Sequence, residues 1–190
     1  MTLPVVSGGH PPGRQLLLVK YGVIYPQNSM THVLTKPASP VVTFDAPLRQ
    51  LILDMFHTMY AMQGVGLAAT QVGLGLRVAV ADASNGRRPA DKLVLINPEM
   101  VESSGEQTDW EGCLSLPGFK ERVTRPNECW VRAQDERGDW HDIEGEGLLA
   151  RILCHEIDHL DGKLYTHRIS SLKRSVMMGK IKKLKRQGRW

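Results

Sequence analysis

A chain of 190 residues is long enough for one domain with a hydrophobic core and short for two. Its hydrophobic share of 42% and charged share of 23% are those of an ordinary soluble globular protein. No apolar run approaches the length that crosses a bilayer. The first dozen residues lack the pattern of a secretory signal. We therefore expect a flexible N-terminal extension over residues 1–14.

The formal net charge of +4 is distributed unevenly along the chain. From Arg168 to Trp190 there are nine Lys or Arg residues and no acidic ones, so the remaining chain carries 15 basic and 20 acidic residues, a net of −5. The chain has three cysteines, and their spacing is not that of a disulfide framework. This favours a reducing compartment, in which thiols stay free. The composition thus predicts a cytoplasmic protein with a mildly acidic body and a basic C-terminal end.

In chain order, the first clear element is a helix from about Asp45 to Gln63. Its apolar residues repeat at helical spacing, Asp45 is a suitable N-cap, and Gly64 ends it. The middle of the chain has the alternation and composition of strands, which we place at Arg77–Ala83, Lys92–Asn97, Glu128–Gln134 and Asp139–Ile143. Residues 135–138 between the last two have the chemistry of a hairpin turn.

Two further helices are predicted near the end of the chain. One runs from about Gly147 to Leu160 and stops at Gly162, and another begins near Ser170 or Ser171. The apolar side of the last helix is expected to carry Leu172, Val176, Ile181 and Leu184. This order of elements indicates an α+β fold, with antiparallel or mixed sheets packed around a central metal-binding helix and a C-terminal helix. We predict one catalytic domain over residues 15–169 and a basic helix over residues 170–190 packed on it.

The most informative local pattern is His155-Glu156-Ile157-Asp158-His159. Histidines at positions i and i+4 lie one helical turn apart on the same face, so both imidazoles can bind one ion. The glutamate beside the first histidine can then act on a water molecule at that ion. The alternative is a helix that carries two surface histidines by coincidence.

A third protein ligand has to come from upstream of this helix. No Glu follows Glu156, which excludes a thermolysin-like protease, and Tyr165 occupies the position where a metzincin has its last histidine. Cys113 is the best candidate, because it lies in a Gly- and Pro-bounded loop that can bring a thiolate to the helix. Cys154 points about 100° away from His155 around the helix, and Cys129 lies in a strand pattern typical of core residues.

Three segments together resemble the signature motifs of the peptide deformylase family. They are Gly64-Val65-Gly66-Leu67-Ala68-Ala69-Thr70-Gln71, Glu111-Gly112-Cys113-Leu114-Ser115, and His155-Glu156-Ile157-Asp158-His159-Leu160-x-Gly162. The similarity runs from about Leu17 to Lys185. Residues 22–32 depart from the family pattern as an insertion or replacement, and Cys154 stands where the family commonly has a glutamine.

The resemblance implies hydrolysis of the formyl group from the N-terminal formyl-methionine of nascent polypeptides, with release of formate. It implies that Cys113, His155 and His159 hold the metal and that Glu156 is the general acid and base. In the family pattern the oxyanion is stabilised by the side-chain amide of Gln71 and the backbone N–H of Leu114. The substrate is expected to contact Val65, Gly66, Leu148 and Ile152. We also expect Arg125 to pair with Glu111 or Asp158.

The same resemblance implies one divalent metal ion, Fe²⁺ in the cell, with Zn²⁺, Ni²⁺ or Co²⁺ able to substitute. The expected partners are N-formyl-methionyl nascent peptides, with neither a membrane nor DNA among them. The basic C-terminal helix has two interpretations: a solvated face with favourable charge at a helix end, or a surface for transient contact with ribosomal RNA.

Three other functions have weaker support from the sequence. Gly64-Val65-Gly66-Leu67-Ala68-Ala69 includes a relaxed dinucleotide-binding pattern, but it follows a helix, whereas that motif follows a strand. A metallo-endopeptidase would share the His-Glu-x-x-His chemistry but lacks its usual third ligand here. A zinc-stabilised RNA-binding module would use the basic end, yet a structural zinc site needs four protein ligands and has no use for Glu156.

Overall fold

The computed structural model describes residues 31–189. The predicted extension over residues 1–14 and most of the departure at residues 22–32 therefore lie outside the described part. The helices are α1 (Thr31–Leu34), α2 (Ala46–Ala61), α3 (Leu148–Leu160) and α4 (Ser171–Arg186). The strands are β1 (Gly66–Ala68), β2 (Val78–Ala81), β3 (Leu93–Ser104), β4 (Gln107–Gly112), β5 (Lys120–Arg125), β6 (Glu128–Gln134) and β7 (Trp140–Glu146). Short 3₁₀ turns cover Ala69–Val72, Pro89–Asp91 and Tyr165–His167.

Two antiparallel sheets organise the described residues. The larger has the strand order β1-β2-β3-β6-β7, and the smaller is the hairpin of β4 and β5. Helix α3 packs across the larger sheet, with Ala150, Leu153 and Ile157 in the same buried cluster as Val131 and Ala133 of β6. This confirms the predicted α+β class with a central helix. The boundaries proposed at residues 14 and 169 stay a prediction.

The predicted starts of α2 and α4 and the predicted stop of α3 agree with the structure. The predicted stop of α2 does not, because α2 ends at Ala61 and the left-handed residue after it is Gln63, at a φ of 56°, and not Gly64. The side chain of Asp45 accepts from the Leu48 N–H at 3.0 Å and caps α2, as expected. Ser170 caps α4 in the same way through the Lys173 N–H, at 3.4 Å. Gly162, at a φ of 73°, follows α3 in the left-handed conformation that ends helices.

The apolar side predicted for α4 is partly wrong. Leu172 and Val176 are 74% and 51% exposed, whereas Met177 and Ile181 are buried. The spacing explains the error, because a step of five residues from Val176 to Ile181 turns about 140° around a helix, while the four-residue step from Met177 keeps the same face. The buried pair packs against Leu116, Val123, Leu164 and Tyr165.

Four strands were missed or shortened by the sequence prediction. The β4–β5 hairpin was not predicted because its residues are mainly polar and most of them are exposed. Strand β1 is only three residues long, which is too short for alternation along the chain to predict it. Strand β3 extends to Ser104, well beyond the predicted end at Asn97, over residues that are exposed from Glu99 onwards. In each case the pairing partner, not local hydrophobicity, defines the strand. Among the described residues, no helix is long and apolar enough to span a membrane.

Candidate metal centre

The described residues bring Cys113, His155 and His159 together as the sequence predicts. The Cys113 Sγ lies 3.2 Å from His159 Nε2, which lies 3.1 Å from His155 Nε2. All three donor atoms are within 4.8 Å of one another. Adjacent ligand atoms around a tetrahedral zinc ion with ordinary bond lengths are roughly 3.3–3.6 Å apart. One thiolate and two imidazoles at these separations fit a divalent transition-metal ion.

The β4–β5 hairpin carries Cys113 to the helix. Cys113 follows the last residue of β4, and its carbonyl accepts a hydrogen bond from the Leu116 N–H at 2.9 Å. Leu116 is 1% exposed and packs in the cluster that includes Tyr165 and Ile181. Gly118, at a φ of 77°, allows the loop to turn back towards β5. The loop is therefore anchored on both sides of the thiol.

A buried carboxylate orients the first histidine. His155 donates from Nδ1 to Glu111 Oε1 at 2.7 Å, which leaves Nε2 facing the other two donor atoms. Arg125 contacts both oxygens of Glu111, at 2.7 and 3.1 Å, and Arg151 contacts Oε2 at 2.8 Å. Burial opposes ionisation of Glu111, but the hydrogen bonds from His155 and Arg125 outweigh it and hold its pKa well below the usual range.

Arg125 joins this carboxylate to a second one on α3. Its Nη1 lies 2.5 Å from Asp158 Oδ2, and Arg168 binds the other Asp158 oxygen at 2.6 Å. The sequence predicted that Arg125 would pair with Glu111 or Asp158, and it pairs with both. Arg125 is 2% exposed, so removing it would leave two buried carboxylates short of a partner, which is strongly destabilising.

Glu156 lies on α3 with its carboxylate against the backbone of β1. A methyl group placed on Gly66 would lie only 2.2 Å from Glu156 Oε1. The side chain is buried, and its Oε2 makes no hydrogen bond to any residue in the range 31–189. Burial raises the pKa of Glu156 to about 7. A carboxyl group with a pKa in this range can both accept and donate a proton at neutral pH.

Gln71 is held with its amide directed towards Cys113. Its Oε1 accepts from the Ala68 N–H at 2.9 Å, which fixes the opposite end, Nε2, 3.5 Å from Cys113 Sγ and 3.3 Å from Ser115 Oγ. Leu114 comes directly after Cys113 in the same loop. The two predicted oxyanion donors thus both belong to residues close to Cys113, and both residues line the same cavity.

A cavity of about 450 Å³ opens onto these groups. Its lining includes all four predicted substrate residues, Val65, Gly66, Leu148 and Ile152. Ile152 is 4% exposed, whereas Leu148 is 55% exposed and lies at the rim. A second cavity of about 520 Å³ on the large sheet is lined by none of the predicted site residues.

Sequence reasoning did not predict several residues that line the same cavity, among them Trp110 and Arg151. Trp110 precedes Glu111 and is 62% exposed. Its position directly before the motif that begins at Glu111 was the sequence signal that could have identified it. Arg151 is one turn before His155 on α3. This spacing places Arg151 on the same face of α3 as His155, and it could have identified Arg151 from the sequence.

This fold, with a His-Glu-x-x-His helix and a thiol directed at it from a hairpin, defines a metallohydrolase. The family model described as polypeptide deformylase matches residues 23–175. The chain belongs to the polypeptide deformylase family, whose members remove formyl groups in a metal-dependent reaction.

Individual relatives agree with this assignment. The chain is 49% identical over 158 residues to a peptide deformylase of Acidobacterium capsulatum, which covers 83% of this chain and 93% of the relative. A peptide deformylase structure from Legionella pneumophila has a TM-score of 0.80 at 46% identity, covering 88% of this chain and 97% of that one. A Synechococcus elongatus peptide deformylase in complex with actinonin has a TM-score of 0.77 at 39% identity, covering 83% and 85%.

Proposed function

We propose that Cys113, His155 and His159 bind the catalytic metal ion of this deformylase and that Glu156 moves the protons of the reaction. The observation that supports this most directly is the approach of three donor atoms, from two distant parts of the chain, to within 4.8 Å of one another. A divalent ion held by these residues supplies a Lewis acid that polarises the formyl carbonyl and lowers the pKa of water towards about 7.

Glu156 accepts a proton from the attacking water and then donates it to the nitrogen of the departing methionine. Without this transfer the amine would have to leave as an anion, which is prohibitively unfavourable. The pKa of about 7 that burial gives the Glu156 carboxyl suits both steps. The negative charge that develops on the formyl oxygen is stabilised by hydrogen bonds from Gln71 Nε2 and the Leu114 N–H, each worth on the order of 10²–10³ in rate.

The substrate is an N-terminal formyl-methionine with the following residues extended along β1. Strand β1 is at the edge of the large sheet, so the chain from Val65 to Ala68 can pair with an added strand. The methionine side chain occupies the apolar part of the cavity formed by Val65, Leu148 and Ile152. Nascent polypeptides in the cytoplasm are the physiological source of such ends.

The ion in the cell is Fe²⁺, with Zn²⁺, Ni²⁺ or Co²⁺ as substitutes. One thiolate and two imidazoles form a donor set that all four ions accept. Metal analysis of protein purified without oxygen, followed by activity after reconstitution with each ion, tests this. Higher activity with Zn²⁺ than with Fe²⁺ would contradict it.

One assay tests the function. Anaerobically purified protein is offered formyl-Met-Ala-Ser, the same peptide without the formyl group, and an unfolded protein. Release of formate from the first substrate alone is expected, whereas cleavage of internal peptide bonds would indicate a protease. Glu156→Ala is expected to retain the metal and lose roughly 10²–10⁴-fold or more in kcat. Glu144→Ala, which changes an exposed glutamate on β7, serves as the matched control and should be fully active.

Cys113→Ser tests the ligand assignment separately from the proton transfer. An alcohol binds these ions more weakly than a thiolate does, so this variant should lose metal on dialysis or change the preferred ion. Unchanged metal retention and preference would remove Cys113 from the set.

We further propose that α4 contacts ribosomal RNA close to the emerging substrate. The helix end carries Lys180, Lys182, Lys183, Lys185, Arg186 and Arg189 without a nearby acidic residue in sequence. Reversing the charge of Lys182 and Lys183, both exposed, should weaken sedimentation with ribosomes and reduce its salt dependence. Activity on formyl-Met-Ala-Ser should stay unchanged. Binding that is insensitive to both salt and the substitutions would indicate that the cations are only solvated.

A further inference from the structure

Tyr165 is a buried side chain that contacts both elements of the candidate metal centre, although it has no part in the proposed reaction. It begins the short 3₁₀ turn that follows α3, and it is 0% exposed. A tyrosine buried this completely needs a hydrogen-bond partner for its hydroxyl group. Its ring contacts the metal-binding helix, and its hydroxyl group contacts the loop that carries the thiol.

The ring of Tyr165 stacks on the imidazole of His155. The two ring centroids are 6.4 Å apart, and the ring planes are inclined by only 22°. This separation is within the range of favourable offset stacking. Glu111 fixes the position of His155 Nδ1 through a hydrogen bond in the plane of the imidazole, but one such bond restrains the tilt of that plane less. A second ring that lies nearly parallel restrains the tilt as well.

The hydroxyl group of Tyr165 donates to the backbone carbonyl of Phe119 at 3.2 Å and lies 3.5 Å from the sulfur of Met177 on α4. Phe119 belongs to the turn that leads from the thiol into β5. The Phe119 N–H donates to the Leu116 carbonyl at 3.1 Å, and the Leu116 N–H donates to the Cys113 carbonyl at 2.9 Å. Two successive main-chain hydrogen bonds thus connect the carbonyl that Tyr165 holds to the residue that bears the thiol.

We propose that Tyr165 is a positioning residue for the metal ion, an inference that rests on the ligands assigned under the proposed function. Cys113 and His155 are 42 positions apart in the chain, so no local geometry determines the distance between them. Tyr165 determines it because one rigid side chain contacts the imidazole with its ring and the thiol loop with its hydroxyl group. Cys113 also packs against the buried cluster that contains Tyr165. Ligands held in place beforehand bind an ion more tightly, since less order has to be imposed on binding.

A tyrosine that served only to fill the core would affect stability but not the ion. Ile181 on α4 separates these two roles, because it is 1% exposed and belongs to the same buried cluster as Tyr165. Its aliphatic side chain can neither stack on an imidazole nor donate to a carbonyl group. Ile181→Ala therefore removes packing from the cluster and leaves both Tyr165 contacts in place.

Binding of Co²⁺ tests the proposal without reference to formate release. The ion is loaded without oxygen, because its absorption bands depend on coordination geometry and on a thiolate ligand, and its affinity is measured by competition with a chelator. Tyr165→Phe keeps the ring and loses the hydroxyl group, and it should bind Co²⁺ about tenfold more weakly with an altered thiolate band. Tyr165→Leu loses both contacts and should bind roughly 100-fold more weakly. Ile181→Ala should unfold more easily and keep the wild-type affinity and spectrum.

Two results would overturn the positioning role. One is a wild-type spectrum with an affinity within about twofold of wild type in both Tyr165 variants, well below the loss expected for a supporting contact. The other is an equal loss of affinity in Ile181→Ala, because loss of core packing would then explain every variant. If Tyr165→Leu fails to fold, Tyr165→Phe and Ile181→Ala still decide between the two roles.

The cobalt spectrum also distinguishes this proposal from the ligand assignment on which it rests. In Cys113→Ser the thiolate band should disappear, whatever the Tyr165 variants show. A band that persists in Cys113→Ser would refute the ligand set, and the role of Tyr165 with it. A band that is lost there but unchanged in both Tyr165 variants would refute the positioning role alone.

Discussion

Replacing Gly66 with alanine would place a methyl group against the carboxylate of Glu156. The added carbon would lie 2.2 Å from Oε1, 2.8 Å from Cδ and 3.1 Å from Cγ of that side chain. Real contacts of this kind are not shorter than 3.0 Å, so the oxygen has to retreat by at least the difference, 0.8 Å. A misplacement of about 1 Å in a group that takes part in the reaction can cost on the order of 10²-fold in rate. We therefore expect kcat to fall by roughly that factor.

The measurement separates displacement of Glu156 from other effects of the substitution. Rates with formyl-Met-Ala-Ser should show a loss mainly in kcat, while metal content and the thermal unfolding midpoint stay close to those of the wild type. A loss confined to KM would instead indicate that Gly66 matters only for pairing with the substrate backbone. Gly75→Ala is the matched control, because a methyl group there meets nothing within 4 Å. A Gly66→Ala enzyme with a kcat within about twofold of wild type would refute the reasoning.

Three further substitutions test other parts of the structure. Glu111→Gln removes the charge that orients His155 and should weaken metal affinity by roughly 10–100-fold, measured by chelator competition; unchanged affinity would contradict the arrangement. Asp82 is buried; burial alone would raise its pKa, but hydrogen bonds from Ser84, Tyr60 and Gly86 lower it on balance. Its contribution to stability should thus be present above the unfolded pKa of about 3.9 and be lost as the pH falls through the lower folded value. Asp82→Asn should lower the unfolding midpoint most at neutral pH and least in acid, and an equal loss at every pH would count against this. Ile181→Ala should cost about 2–5 kcal/mol in urea unfolding, because Ile181 is 1% exposed, while Val176→Ala, at 51% exposure, should cost little.

Elements with strong local signals were predicted well from the sequence. Helix α2 has a capping aspartate and an apolar stripe, and the β6–β7 hairpin has its turn chemistry at residues 135–138, where Gly138 adopts a φ of 93°. The β4–β5 hairpin lacks such signals, since only Glu111, Val123 and Arg125 in it are buried. Two of those three are charged residues, and they are buried because they pair with each other. No measure of local hydrophobicity identifies a strand of that kind.

The features of the candidate site likewise divide into those that the sequence determined and those that only the tertiary structure determined. The sequence by itself determined that His155, Glu156 and His159 share one region of a helix, because an i to i+4 separation has only one geometry in an α-helix. It also indicated that the third ligand comes from upstream, with Cys113 as the best candidate. Only the tertiary structure placed Cys113, which is 42 positions before His155, beside the two imidazoles. It also placed Arg125 between Glu111 and Asp158, and it set the carboxylate of Glu156 against Gly66. These contacts depend on how a hairpin and a helix pack on a common core, and packing is a property of the folded whole that periodicity along the chain does not contain.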